Sequence, residues 1–111
     1  MEIFQTKSDD ATILKLEGRL DTNTASSFEN KLMGLINNNE HKIVIDFTQL
    51  DFISSSGLRV LLMAGKKLKT VNGKLGLCAL REHVKEVFDV AGFTMLFTMF
   101  PNQEEAIKNF Q

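Results

Sequence analysis

The chain is predicted to form one α/β domain over residues 1–111: a small mixed sheet, with an antiparallel N-terminal hairpin and later strands parallel, covered by about four helices. Three observations predict it. The run Ile43-Val44-Ile45-Asp46-Phe47 is continuous, apolar and rich in β-branched residues, the composition of a buried strand. Strand-like runs then alternate with segments whose apolar residues recur at three- and four-residue spacing, which demands crossover connections and parallel strands. At the N-terminus, two strand-like runs flank only Ser8-Asp9-Asp10, which has turn chemistry.

The elements follow in order. Glu2–Lys7 and Ala11–Gly18 form the hairpin, with Thr12, Leu14 and Leu16 on one face and Ile13, Lys15 and Glu17 on the other. Gly18-Arg19-Leu20-Asp21 leads into a helix whose stripe is Ala25, Phe28, Leu32, Leu35 and Ile36, ended by Asn37-Asn38-Asn39. Ile43–Phe47 is the central strand, followed by a polar step. Leu58, Leu61, Leu62, Gly65 and Leu68 mark the inward face of a second helix, stopped by Asn72-Gly73. Leu75–Ala79 is another strand. Val84, Val87, Phe88 and Ala91 mark a third helix closed by Gly92; Met95–Met99 is a short edge strand; Pro101 opens a last helix, with Ala106, Ile107 and Phe110 available to pack.

Composition narrows the function classes. A net charge of -1 provides no global positive field for nucleic acid. The basic cluster Arg59, Lys66, Lys67, Lys69 and Lys74 reads as the solvated face of a helix. Cys78, the single cysteine, lies in an apolar run and reads as a small buried hydrophobe, in keeping with a reducing compartment. The first residues lack the basic start and apolar run of a signal peptide, and no stretch approaches a membrane span. A soluble cytoplasmic protein without membrane association is expected.

The chemistry concentrates in Phe52-Ile53-Ser54-Ser55-Ser56-Gly57-Leu58, where a strand gives way to a helix. One serine there can cap the helix, and Gly57 lets the helix pack closely. A hydroxyl at the same place can also accept a phosphate, because the positive end of the helix dipole tolerates about -1.5 to -2 charges without unfolding. Asp21 occupies the neighbouring strand-to-helix junction. It either caps the first helix or hydrogen-bonds a serine on the next loop, since loops at the carboxyl ends of adjacent strands come together.

Catalysis is not expected. His41 and His83 fall in polar stretches that the predicted topology does not set beside the serines, and a serine nucleophile needs a base within reach. There is no Gly-x-Ser-x-Gly elbow, no phosphate-cradling loop ending in Lys-Ser/Thr, and no metal-ligand spacing among Cys78, His41 and His83. No cofactor is expected. Phe93, Met95, Leu96, Phe97, Met99 and Phe100 read mainly as core and edge strand. Of these, Phe93, just past Gly92, is expected to be exposed and to suit a docking patch.

These segments resemble the anti-sigma factor antagonists, the single-domain members of the STAS family. Phe52-Ile53-Ser54-Ser55-Ser56-Gly57-Leu58 is similar to the family's aromatic-apolar-Asp-Ser-Ser/Thr-Gly-Leu segment. Gly18-Arg19-Leu20-Asp21-Thr22-Asn23-Thr24-Ala25 resembles its Gly-x-Leu/Ile-Asp-x-x-x-Ala element, and residues 85–93 resemble its third helix and following turn. The resemblance implies Ser55 as phosphate acceptor, with Ser54 and Ser56 as alternatives, because Ser54 stands where the family has aspartate. Asp21, Ser54, Ser56 and Gly57 would support the site, and Asp21, Asn23, Ser55, Leu58, Arg59 and Phe93 would meet the partner. It implies three further proteins: an anti-sigma factor that is also a serine kinase of the histidine-kinase-like ATPase type, a metal-dependent serine phosphatase, and a sigma factor or other regulator released when the unphosphorylated chain binds. A monomer is expected. Some STAS proteins are instead constitutive accessory subunits of bacterial lipid-transport ATPases, the alternative reading.

Overall fold

The computed structural model describes residues 1–110. The elements are β1 (Glu2–Ser8), β2 (Ala11–Leu20), α1 (Ala25–Asn37), β3 (Lys42–Ile53), α2 (Ser55–Thr70), β4 (Lys74–Cys78), α3 (Glu82–Ala91), a 3-10 turn (Thr94–Leu96), β5 (Thr98–Phe100) and α4 (Gln103–Asn109). The five strands lie in chain order across one sheet. β1 and β2 are antiparallel, and each later pair is parallel, as the alternation of strand and helix requires.

Side-chain alternation divides the core in two. Leu14 and Leu16 of β2, Ile43, Ile45 and Phe47 of β3 and Leu77 of β4 face α1, α2 and α3. On the other face Ala11, Ile13, Val44 and Cys78 pack against Ala106 and Phe110 at the α4 end. Cys78 is fully buried, and burial pushes its thiol pKa up to about 12, with the nearby Asp46 charge adding to the shift. Asp46 is itself buried but satisfied: the backbone N–H and the hydroxyl of Thr48 donate to Oδ1, and the Gln103 side chain donates to Oδ2, tying α4 to β3.

Most boundaries shift by one or two residues from the sequence reading, and two differ by more. β3 does not stop at Phe47. β2 runs on to Leu20, so Gln49, Leu50, Phe52 and Ile53 find parallel partners in Glu17–Leu20, with register irregularities at Lys15/Glu17 and Gly18/Arg19. Leu50 and Ile53 are buried there, which is why an apparently polar step is held as strand. The last strand is Thr98–Phe100 rather than Met95–Met99, because only Gly76, Leu77 and Cys78 of β4 offer it partners. Met95 instead sits on the 3-10 turn, 93% exposed.

At the opposite end of the sheet, Glu40 gathers the hairpin. The Thr12 hydroxyl donates to Glu40 Oε1 at 2.7 Å, and Lys7 Nζ approaches it at 3.0 Å. The Thr12 hydrogen bond first, and then Lys7, hold the Glu40 carboxyl below its ordinary value of 4.5. A depressed carboxylate contributes stability above its unfolded pKa and loses it as pH falls through the folded one. Glu40→Gln is therefore expected to melt below the wild type at neutral pH. The difference should close as the pH drops below about 4.5, by thermal melts across pH; a difference independent of pH would contradict this.

Candidate functional site

The register pairs Leu20 with Ile53, and the Ser54 N–H donates to the Leu20 carbonyl at 2.9 Å. The loops leaving β2 and β3 are thereby held side by side, as expected for carboxyl ends of neighbouring parallel strands. At the mouth of α2 the three serines take separate tasks. Ser54 is the N-cap, its hydroxyl accepting from the Gly57 N–H at 3.4 Å, so it serves as a neutral cap in extended backbone. Ser56 is half-buried, its hydroxyl 3.4 Å from that of Thr22 on the neighbouring loop. Ser55, the first residue of the helix, is exposed, and its hydroxyl makes no hydrogen bond among the described residues.

Gly57 is required by the packing. A Cβ there would lie 2.7 Å from Leu20 Cγ and 3.0 Å from Ile53 Cγ1, both fixed in the core. The first turn of α2 carries no acidic side chain, so the N-terminal N–H groups face Ser55 without a competing anion. Arg59 lies one turn beyond Ser55 on the same exposed side of α2.

Ser55 stands at the edge of an open groove of about 350 Å³ between α2 and α3. Leu58, Val87, Val90 and Ala91 supply its apolar surface, and His83 and Glu86 its polar rim. The groove can accept an apolar side chain from outside, with the Ser55 hydroxyl at its border.

Several expected roles change. The Asp21 carboxylate reaches no serine. Its Oδ1 accepts the N–H groups of Asn23 and Thr24 at 3.0 and 3.2 Å, its Oδ2 is 3.7 Å from Arg19 Nε, and its carbonyl accepts the Ala25 N–H. It shapes the turn that precedes α1, whose N-cap is Thr24, so it neither caps the helix nor meets a serine, and Thr22 makes the contact between loops. Asn23 is exposed beside it. Leu58 is only 2% exposed and belongs to the core, so it floors the groove rather than projecting toward a partner. Phe93 is half-buried against the core; its N–H bonds the Phe88 carbonyl, which folds it back under the helix end. Val90, 83% exposed, is the apolar residue presented instead.

His83 also departs from expectation, because it lines the same groove as Ser55. Its Nε2 lies 2.7 Å from the Asp51 carbonyl, to which it donates, and Arg81 pairs with the Asp51 carboxylate and donates to the Thr48 carbonyl at 3.0 Å. These bonds staple the start of α3 to the extended end of β3. Sequence reasoning placed His83 away from the serines because it ended β3 at Phe47. Glu86, Val87 and Val90 were not singled out as site residues. The available signal was Val90, an apolar residue on the otherwise polar side of an amphipathic helix. Among the described residues no cluster of three metal-ligating side chains forms, and no helix is long and apolar enough to cross a membrane.

The STAS domain profile matches residues 4–106. BtrV of Bordetella bronchiseptica, named as a proposed anti-sigma factor antagonist, is 37% identical over 111 residues, covering 100% of this chain and 96% of that protein. In structure, TM1081 of Thermotoga maritima superposes with a TM-score of 0.91 at 20% identity, over 96% of this chain and 92% of that one. The phosphorylated form of the Bacillus cell fate determinant SpoIIAA gives 0.76 at 22% identity, over 99% and 100% of the two chains. By profile, by full-length similarity and by fold, this chain belongs to the STAS domain family, among its anti-sigma factor antagonists.

Proposed function

We propose that this chain is a protein-binding switch operated by phosphorylation of Ser55. Unphosphorylated, it binds an anti-sigma factor that is also a serine kinase of the histidine-kinase-like ATPase type, and so frees a sigma factor or other regulator. Phosphorylated, it releases that partner until a metal-dependent serine phosphatase restores the hydroxyl. The observation that carries this reading is the exposed, unpartnered Ser55 on the border of an apolar groove, between two serines already engaged.

The switch is electrostatic. A partner side chain that fills the groove must cover the Ser55 hydroxyl, which costs little. Covering a phosphate of about -1.5 to -2 charges without a paired cation costs several kcal/mol. The same charge at the entrance of α2 is favourable to the helix, so the fold survives while the docking face is lost. The relatives support this reading: SpoIIAA is known in both phosphorylated and unphosphorylated forms. The site itself is read as non-catalytic, since His83 Nε2 is committed to a backbone carbonyl and no hydrogen bond joins the ring to Ser55 among the described residues. The chain is read as a cytoplasmic monomer.

Incubation with the cognate kinase and ATP is expected to add one phosphate, by intact mass. Ser55→Ala should abolish it, whereas Ser54→Ala and Ser56→Ala should keep it. Ser55→Asp should weaken partner binding about a hundredfold with an unchanged melting temperature. Phosphate retained in Ser55→Ala would refute the assignment. A stable complex with a lipid-transport ATPase, indifferent to Ser55, would favour the constitutive-subunit alternative.

A further inference from the structure

The basic cluster seen in the sequence is divided by the fold. Arg59 stays at the Ser55 end of α2 and Lys67 points elsewhere, but Lys66, Lys69 and Lys74 come together on the rim of a second groove. Its apolar surface comes from Leu62 and Leu68 of α2, Leu75 of β4, Leu96 and Phe97 beyond α3, and Phe110 after α4. The volume is about 350 Å³. No aspartate or glutamate is among the described residues lining it. Leu96 remains 58% exposed at this site, an apolar side chain with room for a neighbour.

We infer that this groove binds a single-chain anionic amphiphile, the alkyl chain lying along the leucines and phenylalanines and the carboxylate or phosphate head meeting Lys66, Lys69 and Lys74. Three features select that ligand class. The volume lies at the lower end of the range of small-molecule sites, about 300–1,000 Å³, which suits a single alkyl chain. The rim carries one sign of charge although the whole chain is at -1, so the field is local to the groove. An apolar floor beneath lysines suits a ligand with an apolar body and an anionic end, since the lysine stems extend the apolar wall while the ammonium groups stay in water. The groove flanks the C-terminal half of α2, away from the Ser55 end, so occupancy does not require the phosphorylation switch.

The test is titration of isotope-labelled protein with decanoate and with decyl phosphate below their micelle concentrations, read by amide shifts. Saturable one-to-one shifts confined to the second half of α2, β4 and residues 94–98 are expected, and the tighter of the two ligands identifies the head group. The Lys66→Glu/Lys69→Glu double variant should weaken binding about tenfold or more. Gly65→Leu should block it without disturbing the fold, since a Cβ at Gly65 meets only Leu75 Cδ2, at an ordinary 3.7 Å. Lack of saturation, equal binding of decyltrimethylammonium, undiminished binding in folded Gly65→Leu, or binding only to phosphatidylglycerol vesicles would each overturn the inference. Phosphorylation of Ser55, measured on the same variants, should be unchanged, which separates failure here from failure of the switch.

Discussion

Truncation of Phe88 to alanine is expected to cost about 3–5 kcal/mol, a large share of the roughly 5–15 kcal/mol that holds a domain of this kind together. Phe88 is fully buried and meets two rings edge-on, Phe47 at 6.2 Å and Phe97 at 5.6 Å between centroids. It therefore joins α3 to β3 and to the segment that leads into β5. Removing the ring leaves a cavity beneath the helix that carries His83, Val87 and Val90, one wall of the Ser55 groove. The denaturant midpoint should fall sharply with little change in slope. Partner affinity should also fall at temperatures where the variant remains folded, because the groove wall is no longer anchored. Phe88→Leu should cost less, about 1.5 kcal/mol or below if the neighbours repack. Equal stability of Phe88→Ala and wild type in urea would show that α3 is not held through this residue.

Gly57→Val is expected to damage stability and switching together. Even the Cβ would fall 2.7 Å from Leu20 Cγ and 2.9 Å from its Cδ2, and Leu20 is fully buried in the core at the end of β2. Overpacking of this kind costs about 1–3 kcal/mol. The relief available is outward movement of the α2 N-terminus, which carries Ser55 with it and opens the bonds from Ser54 to Leu20 and Gly57. The rate of Ser55 phosphorylation should therefore drop at temperatures where the protein is still folded. Gly57→Ala should show the same effects in weaker form. Wild-type midpoint and kinase rate in Gly57→Val would mean that the close helix–strand approach does not position the serine.

The architecture was legible because each element declares its own period. The β-branched run at residues 43–47 and the helical stripes on either side leave few alternatives to a mixed sheet under helices, and the sheet has the expected pairing directions. The serine step at a helix entrance was legible too, since capping chemistry and a glycine at close approach are local in sequence. What escaped were extents and partners. The length of β3 depends on how far β2 accompanies it, and residues 48–51 look polar until Leu50 is seen buried and Gln49 paired. The same extension delivers Asp51 to His83 and so brings α3 beside the serines. Asp21 is the counterpart case: a carboxylate at that junction could cap α1 or reach a serine, and the turn geometry sets it instead on the N–H groups of Asn23 and Thr24.

The sequence by itself determined the order of elements, the class of fold and a hydroxyl-rich entrance to α2, because hydrophobic period, turn residues and helix caps act over a few neighbouring residues. The tertiary structure decided which serine is left free, that Val90 rather than Phe93 borders the groove, and that three of five basic residues surround a second one. Those outcomes depend on contacts between segments tens of residues apart, and exposure is a property of the packed whole, so local pattern hints at Val90 but fixes none of them.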